Sequence, residues 1–358
     1  MRSLFLCLIA SVPLAACAKP PQGATAGTCL DVILTGTQGG PPAVNGLAGA
    51  GTLVRYGQTD NDCGDVTLQF DVGRGTTERL SQLGLSPNDL DAIFLTHIHS
   101  DHTEGLAGLL QLRWHFFGGP VAIVCADDVS TTRPPPTRTI SCRGLVEHTG
   151  DAFLHAGEVA QRHAENDARD PAGPATLARL SLVAVPLPDE PGTVVWESGA
   201  VTVSAIGTVH IAGSLAYRVD TPAGSVVIGG DAGNSRSEPR REASTSETVE
   251  ALAKGADVLV HSVIHPVFAP GEGSAFPAHV YLRQSSARDL GAMAERAGVG
   301  HLMLTHFIPA VSAAGHGPYA VPGMPLSFED YREAARAGGF SGEIHAGGDL
   351  TKLRLDSE

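Results

Sequence analysis

The stretch Thr96–His102 reads Thr-His-Ile-His-Ser-Asp-His and places three imidazoles and one carboxylate within six residues. It directly follows Ala92–Leu95, a short apolar run that is typical of a buried strand. The histidines are therefore expected on the loop that leaves the carboxyl end of a strand, where open α/β sheets place their sites. Gly105–Trp114 predicts the helix that follows.

The spacing within this stretch predicts two neighbouring metal positions. In an extended segment His97 and His99 point to the same side, because side chains alternate with a period of two. The chain then turns, so Asp101 and His102 can face a second point a short distance away. Imidazole and carboxylate are standard zinc ligands, and four of them at this spacing favour a metal site over structural histidines.

The HxHxDH spacing resembles the metallo-β-lactamase superfamily of dinuclear metal hydrolases. The resemblance continues in the loop Gly36–Pro42, in the Asp-Val-Gly-Arg-Gly run at Asp71, in the series from His210 to Asp231 and in the Leu-Thr-His that ends at His306. The later series resembles the branch that contains the tRNA-processing nuclease RNase Z and the arylsulfatase-like hydrolases. The fold implied is α/β, a four-layer αββα sandwich of two mixed β-sheets flanked by helices.

The resemblance also implies a complete set of metal ligands. Seven side chains are expected to hold two divalent cations: His97, His99, His210, Asp101, His102, Asp231 and His306. The first three would bind one cation and the others the second, with Asp231 bridging both. Asp71 would lie beneath the site and orient a ligand histidine. Zn²⁺ is the expected metal, and Mn²⁺ or iron also suits histidine and carboxylate ligands.

One departure from the family pattern concerns the proton donor. RNase Z-like members carry a catalytic histidine at the start of the helix before the Leu-Thr-His strand, and here that position falls on Gln284. A glutamine forms hydrogen bonds but cannot donate a proton as a general acid. His279, five residues earlier, is the candidate replacement. Asp101 is expected both to bind metal and to position the nucleophile or accept its proton.

These features predict a metal-dependent hydrolase that uses a metal-bridging hydroxide on a small-molecule ester. Without a certain acid at Gln284, a good leaving group is easier to accommodate, which favours a phosphodiester or an aryl sulfate ester. A lactonase, or another carboxylic ester or amide hydrolase of the same fold, is the alternative enzyme. A metal-binding envelope lipoprotein without catalysis is the alternative from a different class. A β-lactamase fits less well, because those enzymes lack a bridging aspartate of the Asp231 type.

The amino-terminal residues resemble a bacterial lipoprotein signal. A short basic start precedes Leu4–Leu14, an apolar run that is too short to span a bilayer. The run ends in Leu-Ala-Ala-Cys, which resembles a lipoprotein cleavage box and implies lipid attachment to Cys17. Residues 1–16 are therefore expected to be a signal peptide and residues 17–28 a flexible tether. An ordinary signal peptide cleaved nearby is the alternative.

Cysteine usage fits export to the bacterial periplasm, where the lipid would anchor the protein to the membrane. Cys29, Cys63, Cys125 and Cys142 remain after the signal, an even number that suits an oxidising compartment. The most local pairings join the first to the second and the third to the fourth, although sequence does not fix connectivity and buried free thiols are the alternative. The formal net charge of −14 repels phosphate backbones, so no nucleic-acid partner is expected.

Residues 29–358 are expected to form one metallo-β-lactamase-like domain. Within it, the segment at about 126–195 has three consecutive prolines, scattered charges and weak periodicity, and it predicts an irregular insertion. Gly342–His345 is predicted as the last, edge strand. His261 and His265 are expected near the rim of the site without binding metal.

Overall fold

The computed structural model describes residues 27–130, 139–155, 157–183, 193–234, 243–271, 274–320 and 325–357. The expected signal peptide, Cys17 and nearly all of the expected tether lie outside these residues. In the part that is described, every helix is too short or too polar to cross a bilayer.

The strands and helices follow one another along the whole described chain. The strands are β1 (Thr28–Gly36), β2 (Gly51–Gln58), β3 (Val66–Phe70), β4 (Ala92–Phe94), β5 (Val121–Ala126), β6 (Val129–Ser130), β7 (Thr139–Ile140), β8 (Ala178–Val183), β9 (Thr193–Ser198), β10 (Val201–Gly207), β11 (Leu215–Thr221), β12 (Gly224–Ile228), β13 (Val258–Ile264), β14 (His301–Ile308), β15 (Gly315–His316), β16 (Tyr319–Ala320), β17 (Glu343–Ala346) and β18 (Lys352–Asp356). The α-helices are α1 (Thr76–Gln82), α2 (Ser100–Thr103), α3 (Leu106–His115), α4 (Cys142–His155), α5 (Glu158–Glu165), α6 (Glu247–Ala253), α7 (Ala278–Tyr281), α8 (Ala287–Ala297) and α9 (Phe328–Arg336).

Two large mixed sheets organise these strands. The first has the order β18-β1-β2-β3-β4-β5-β8, and the second has the order β17-β14-β13-β12-β11-β10-β9. In the first, β3, β4, β5 and β8 run parallel, and in the second β12, β13, β14 and β17 do. Parallel strands end at the same edge of a sheet, so the residues that follow them gather there.

The two sheets pack face to face through an aromatic core. Phe70 stacks on Phe94 at 4.7 Å between ring centroids, and Tyr217 from the second sheet reaches within 5.4 Å of the Phe94 ring. The Tyr217 hydroxyl donates a hydrogen bond of 2.8 Å to the carbonyl of Leu95, so its polar end is satisfied inside the core. Full burial of each such side chain contributes roughly 2–3 kcal/mol to folding.

Helices cover the outer face of each sheet. Strand alternation turns Ile93 away from its neighbour Phe94, and it packs on Leu80 and Leu109 of the helices over the first sheet. On the second sheet, Leu304 packs in one cluster with Leu290 and Tyr331 from the covering helices. The predicted α/β architecture, a four-layer αββα sandwich of two mixed sheets, is confirmed.

One prediction about the order of elements is wrong, and another is confirmed as an edge strand but not as the last one. The segment at 126–195 is not irregular throughout: it contains α4, α5 and the strands β8 and β9, which form the outer strands of the two sheets. Glycines within α4 weaken its helical pattern, and β8 becomes a strand by pairing with β5. The predicted edge strand near His345 is present as β17, but β18 follows it and closes the first sheet against β1.

The four described cysteines form two disulfides, Cys29 with Cys63 and Cys125 with Cys142. The first joins β1 to the turn that follows β2, and the second joins the end of β5 to the start of α4. The pairing is the local one that proximity in sequence favours, and the alternative of buried free thiols does not hold in this structure.

Candidate metal centre

The HxHxDH stretch begins where β4 ends against β5. The Leu95 amide still donates to the Val124 carbonyl at 2.9 Å, and the chain then turns into the short helix α2. Nε2 of His97 lies 2.9 Å from Nδ1 of His99. Asp101 follows in the first turn of α2 and is buried, so the turn carries the rest of the stretch toward a second point.

A third imidazole reaches the first two from the second sheet. Nε2 of His210 lies 3.2 Å from Nδ1 of His99, and the ligand atoms of His97, His99 and His210 all lie within 4.8 Å of one another. Nδ1 of His210 lies 3.3 Å from the carbonyl of Arg283 and can donate to it, which leaves its Nε2 with a free lone pair. We call these residues the three-histidine group.

Four further residues form a second group, which we call the mixed group: Asp101, His102, Asp231 and His306. Nε2 of His306 lies 3.0 Å from Oδ2 of Asp101 and 3.2 Å from Oδ2 of Asp231. Nε2 of His102 lies 3.5 Å from Oδ1 of Asp231. Oδ2 of Asp231 is also 3.7 Å from Nε2 of His210, so this carboxylate lies between the two groups.

Asp71 fixes the orientation of His102 from below. Its carboxylate accepts hydrogen bonds from the Thr96 amide at 2.7 Å and from the Thr96 hydroxyl at 2.8 Å. Nδ1 of His102 lies 2.8 Å from the same carboxylate and donates to it, so Nε2 is directed toward Asp231.

A bulge in β14 directs His306 into the site. The pairing of β14 with β13 passes from Thr305 to Phe307 and leaves His306 out of register. His306 has a positive φ of 50°, a conformation that costs a non-glycine residue on the order of 1 kcal/mol. A bulge of this kind turns one side chain out of the strand's alternation, and here that side chain joins the mixed group.

Three atoms of the mixed group are buried without hydrogen-bond partners among the described residues: Nε2 of His102, Oδ1 of Asp231 and Nδ1 of His306. The first two lie 3.5 Å apart. A buried polar atom without a partner costs about 1–3 kcal/mol. A cation bound between the first two atoms would satisfy both, so the residues present fit a divalent metal.

The two groups differ in their electrostatics. Burial lowers the pKa of His97 well below its usual range and that of His210 to about 4, which keeps both imidazoles in the neutral form that binds cations. Burial also disfavours charge on His102, but Asp71 and Asp231 outweigh it and raise its pKa well above the usual range. The carboxylates around His102 therefore favour a positive charge in the mixed group, whether it is a proton on the imidazole or a bound cation.

A cavity of about 240 Å³ opens onto both groups. Its floor consists of ligand residues, and its walls come from loops around them. The wall residues are Gly40, Pro41, Ser100, Phe276, Val280, Arg283, Gln284, Ile308 and His316.

Comparisons with known proteins identify the family. The metallo-beta-lactamase superfamily model matches residues 64–115, which include the HxHxDH stretch. A ribonuclease Z from Mycobacterium sp. (strain KMS) is 31% identical over 331 residues, which cover 91% of this chain and 96% of the relative. A ribonuclease Z from Mycobacterium avium (strain 104) is 30% identical over 331 residues, with 92% and 99% covered. The chain belongs to the metallo-β-lactamase superfamily. These relatives place it among the ribonuclease Z-like members.

Solved structures of the superfamily share the fold. YhfI from Bacillus subtilis, a metallo-beta-lactamase fold protein, superposes with a TM-score of 0.56 at 19% identity and covers 91% of this chain and 99% of its own. The short form of human tRNase Z gives a TM-score of 0.54 at 17% identity, with 90% and 98% covered. The chain is thus a metallo-β-lactamase hydrolase, and this superfamily uses divalent metals, typically zinc.

The expectation that nucleic acid is not a partner is wrong. It rested on the net charge of −14, whereas the similar curated proteins are named as ribonucleases. Net charge describes the whole surface, but a substrate responds to the local field of the cleft, and here the cationic Arg283 lines the cavity wall.

Gln284, at the position of the family's acid histidine, and His279, its candidate replacement, lie in different environments. Gln284 is buried on the cavity wall, and its side-chain oxygen has no hydrogen-bond partner among the described residues. His279 is exposed and is absent from the cavity wall, so the expectation that it reaches the site is wrong. The cavity is lined by Val280, Arg283 and Gln284, which are spaced as residues on one side of a helical turn. His279 is one residue before Val280, so its side chain points to another side of that turn.

The remaining histidines of the second sheet do not join either ligand group. His261 is fully buried, and its Nδ1 lies 2.8 Å from the carbonyl of Ser262. The His265 side chain accepts a hydrogen bond from the Val267 amide and caps the turn after β13. His265 is thus held by a structural contact, whereas Nε2 of His261 is buried without a hydrogen-bond partner among the described residues.

Three wall residues were missed by the reading of the sequence: Phe276, Arg283 and His316. Arg283 adjoins Gln284 and could have been found from that position. His316 lies in Gly315–His316, a two-residue strand in a loop that has no hydrophobic periodicity. Such a loop carries no pattern from which its contacts can be inferred.

Proposed function

We propose that this chain is a dinuclear metal-dependent phosphodiesterase. The observation that carries the proposal is the position of Asp231 between the three-histidine and mixed groups, at the floor of a cavity whose wall contains a cationic side chain. Two adjacent cation sites that share a carboxylate suit in-line displacement at phosphorus, because the attacking and leaving oxygens can both be stabilised.

The ligand groups assign each cation its protein partners. His97, His99 and His210 would hold one cation, Asp101, His102 and His306 would hold the other, and Asp231 would contact both. When bound, such cations supply Lewis-acid activation of water and of the ester. Neutral imidazoles and carboxylates without thiolates suit zinc, with manganese or iron as further candidates.

Asp101 has a second role in the proposal. Burial raises its pKa, but the hydrogen bond from His306 and the charge of His102 outweigh burial and lower the pKa to about 2. The carboxylate is therefore ionised at neutral pH and faces the cavity. It can orient an attacking water by accepting a hydrogen bond from it.

Arg283 supports an anionic substrate. Its guanidinium Nε is buried without a hydrogen-bond partner among the described residues, and its charge contributes to lowering the pKa of His99. A guanidinium beside the site matches a phosphate or sulfate, which accept two parallel hydrogen bonds from it. A neutral lactone or carboxylic ester would leave this guanidinium without a charged partner. Metal binding alone does not require a cationic side chain beside the site.

A substrate panel tests the function directly. We expect the zinc-loaded protein to hydrolyse bis(p-nitrophenyl) phosphate, and an RNA phosphodiester arm with a precursor tRNA would show whether this relative of ribonuclease Z accepts nucleic acid. p-Nitrophenyl sulfate, p-nitrophenyl acetate and a lactone are the competing arms.

Arg283→Ala should raise KM for the phosphodiester about 10-fold, as expected for loss of a charge-assisted hydrogen bond, and leave KM for an acetate ester unaffected. Turnover of lactones alone would overturn the proposal.

We further propose that residues 29–358 form one catalytic domain that is exported and anchored through lipid on Cys17. The two disulfides support this location, since such bonds persist in oxidising compartments and are rare in the cytosol. The test is labelling with radioactive palmitate in a bacterial host. Cys17→Ser should abolish label and release the protein from the membrane fraction, whereas label retained on Cys17→Ser would contradict the lipid anchor.

A further inference from the structure

The cavity wall holds a second side chain that can form hydrogen bonds besides Gln284. His316 lies on the hairpin formed by β15 and β16, which follows the ligand strand β14. Its side chain lines the cavity together with Asp101 and His306, and only 8% of the residue is exposed. Nδ1 of His316 is buried and has no hydrogen-bond partner among the described residues. A polar group of this kind needs a ligand to satisfy it.

The surroundings of His316 hold its ring in place. Phe276 lies 6.1 Å from it between ring centroids and stacks on Phe268 at 4.5 Å. Tyr319, opposite His316 in the hairpin, packs on Phe276 at 5.2 Å. The imidazole is thus fixed by an aromatic cluster, although the described residues offer it no hydrogen bond that would account for its burial.

Gly40 leaves the space that the imidazole occupies. Its φ is +70°, and a Cβ at this position would lie 3.0 Å from Nε2 of His316. The Gly40 amide itself lies 3.2 Å from Nε2 of His306, so the same residue separates the imidazole from the mixed group. Gly40 therefore lies between His316 and the ligand residue His306, and His316 is not one of the ligand residues.

We propose that His316 is a catalytic residue that donates a hydrogen bond to the leaving oxygen of the phosphodiester, the role for which Gln284 and His279 were the candidates. This inference rests on the proposed function. A water oxygen forms the new bond to phosphorus and releases a proton to solvent as the bond from phosphorus to the leaving oxygen breaks. The electron pair of that bond moves to the leaving oxygen, the His316 N–H stabilises the charge, and the oxygen then takes a proton from solvent. A neutral imidazole carries the single N–H that this requires.

The experiment measures kcat/KM of zinc-loaded protein on methyl aryl phosphodiesters whose leaving phenols range from p-nitrophenol to p-methoxyphenol. A donor to the leaving oxygen matters most when that oxygen is basic. We expect His316→Phe, which keeps an aromatic ring, to lose about 3-fold with the p-nitrophenyl ester and about 100-fold with the p-methoxyphenyl ester. His316→Gln restores an N–H donor and should recover most of the second loss.

Controls separate the possible outcomes. His148, exposed on α4, gives the matched variant His148→Gln, which should behave as wild type on every ester. An equal loss across the series for His316→Phe, or the selective loss in His279→Gln instead, would overturn the role of His316 while the phosphodiesterase function stands. A wild-type protein without turnover on any member of the series would overturn the proposed function and this inference together.

Discussion

Two clusters of histidine and carboxylate lie at opposite ends of β14 and have similar spacing. At its carboxyl end, His306 joins the mixed group with separations of 3.0–3.7 Å. At its amino end, His301 lies 3.2 Å from His345 and 3.6 Å from Glu343 on the neighbouring strand β17. Ligand-atom distances alone therefore do not distinguish the two clusters.

Burial and hydrogen bonding do distinguish them. The side chains of the mixed group are no more than 4% exposed, and three of their atoms lack hydrogen-bond partners among the described residues. In the second cluster the Glu343 side chain is 72% exposed, and the two imidazoles can hydrogen-bond to each other. Solvent and mutual hydrogen bonds already satisfy the second cluster, whereas the first is incomplete without a cation. Buried polar atoms without partners therefore indicate a metal site better than ligand spacing does.

The largest expected effect comes from removing the shared carboxylate. Asp231→Ala deletes the contact between the two ligand groups, so we expect kcat/KM to fall at least about 1000-fold and bound zinc to fall below two per chain. Enzyme kinetics and metal analysis of the purified protein measure both. Asp151→Ala, an exposed carboxylate on α4, is the control. An Asp231→Ala protein with two zinc ions and full activity would contradict the claim that the mixed group, unlike the exposed cluster, is a metal site.

A smaller effect is expected from the residue that orients His102. Asp71→Asn keeps the shape of the side chain but weakens the hydrogen bond that fixes the Nδ1 proton of His102. Loss of such a partner costs about 10- to 100-fold in metal affinity. Competition with a chromophoric zinc chelator measures that affinity. Affinity equal to wild type would show that packing alone positions His102.

Metal removal should change stability through the buried groups. At a free zinc concentration 100 times its dissociation constant, binding stabilises the folded state by about 2.7 kcal/mol. We therefore expect EDTA to lower the Tm of the wild-type protein by several degrees. The same treatment should lower the Tm of Asp231→Ala by less, because that variant holds fewer zinc ions. A shift as large as that of wild type in Asp231→Ala would place the stabilising metal elsewhere.

The smallest effect is expected at the second cluster. His345→Ala removes one imidazole of the exposed cluster, and we expect two zinc ions per chain and kcat/KM within about twofold of wild type, as for a surface substitution. Metal analysis at matched free zinc checks this expectation. If the wild-type protein binds a third zinc and His345→Ala loses it, ligand spacing alone would suffice for binding. That result would contradict the distinction between the two clusters.

Much of the metal site was accessible from sequence because local geometry sets it. The alternation of an extended segment brings His97 and His99 together, and the turn into α2 moves Asp101 and His102 to the next position. These relations depend only on residues that are close in the chain. Apolar runs likewise predicted most of the strands, since burial of a sheet requires them.

The placement of His210, Asp231 and His306 required the resemblance to a family, because they come from the other sheet. Their convergence depends on how the two sheets pack and on a bulge that turns one residue out of register. No property of the isolated segments specifies that packing. Sequence reasoning also proposed His279 and did not identify His316, since distance along the chain is a poor guide to which side chain faces a cavity.

Short-range spacing indicated the first four ligands, His97, His99, Asp101 and His102, and apolar runs indicated most strands, because both depend on residues that are close in the chain. The αββα class and the other three ligands came from the resemblance to the family, and the sequence left the disulfide pairing open. Only the tertiary structure decided which atoms are buried without partners and which wall residues face the cavity. Those properties arise from contacts between segments hundreds of residues apart, such as His306 with Asp101 and Gly40 with His306. Loop residues such as His316 acquire a chemical role only when packing excludes water from around them.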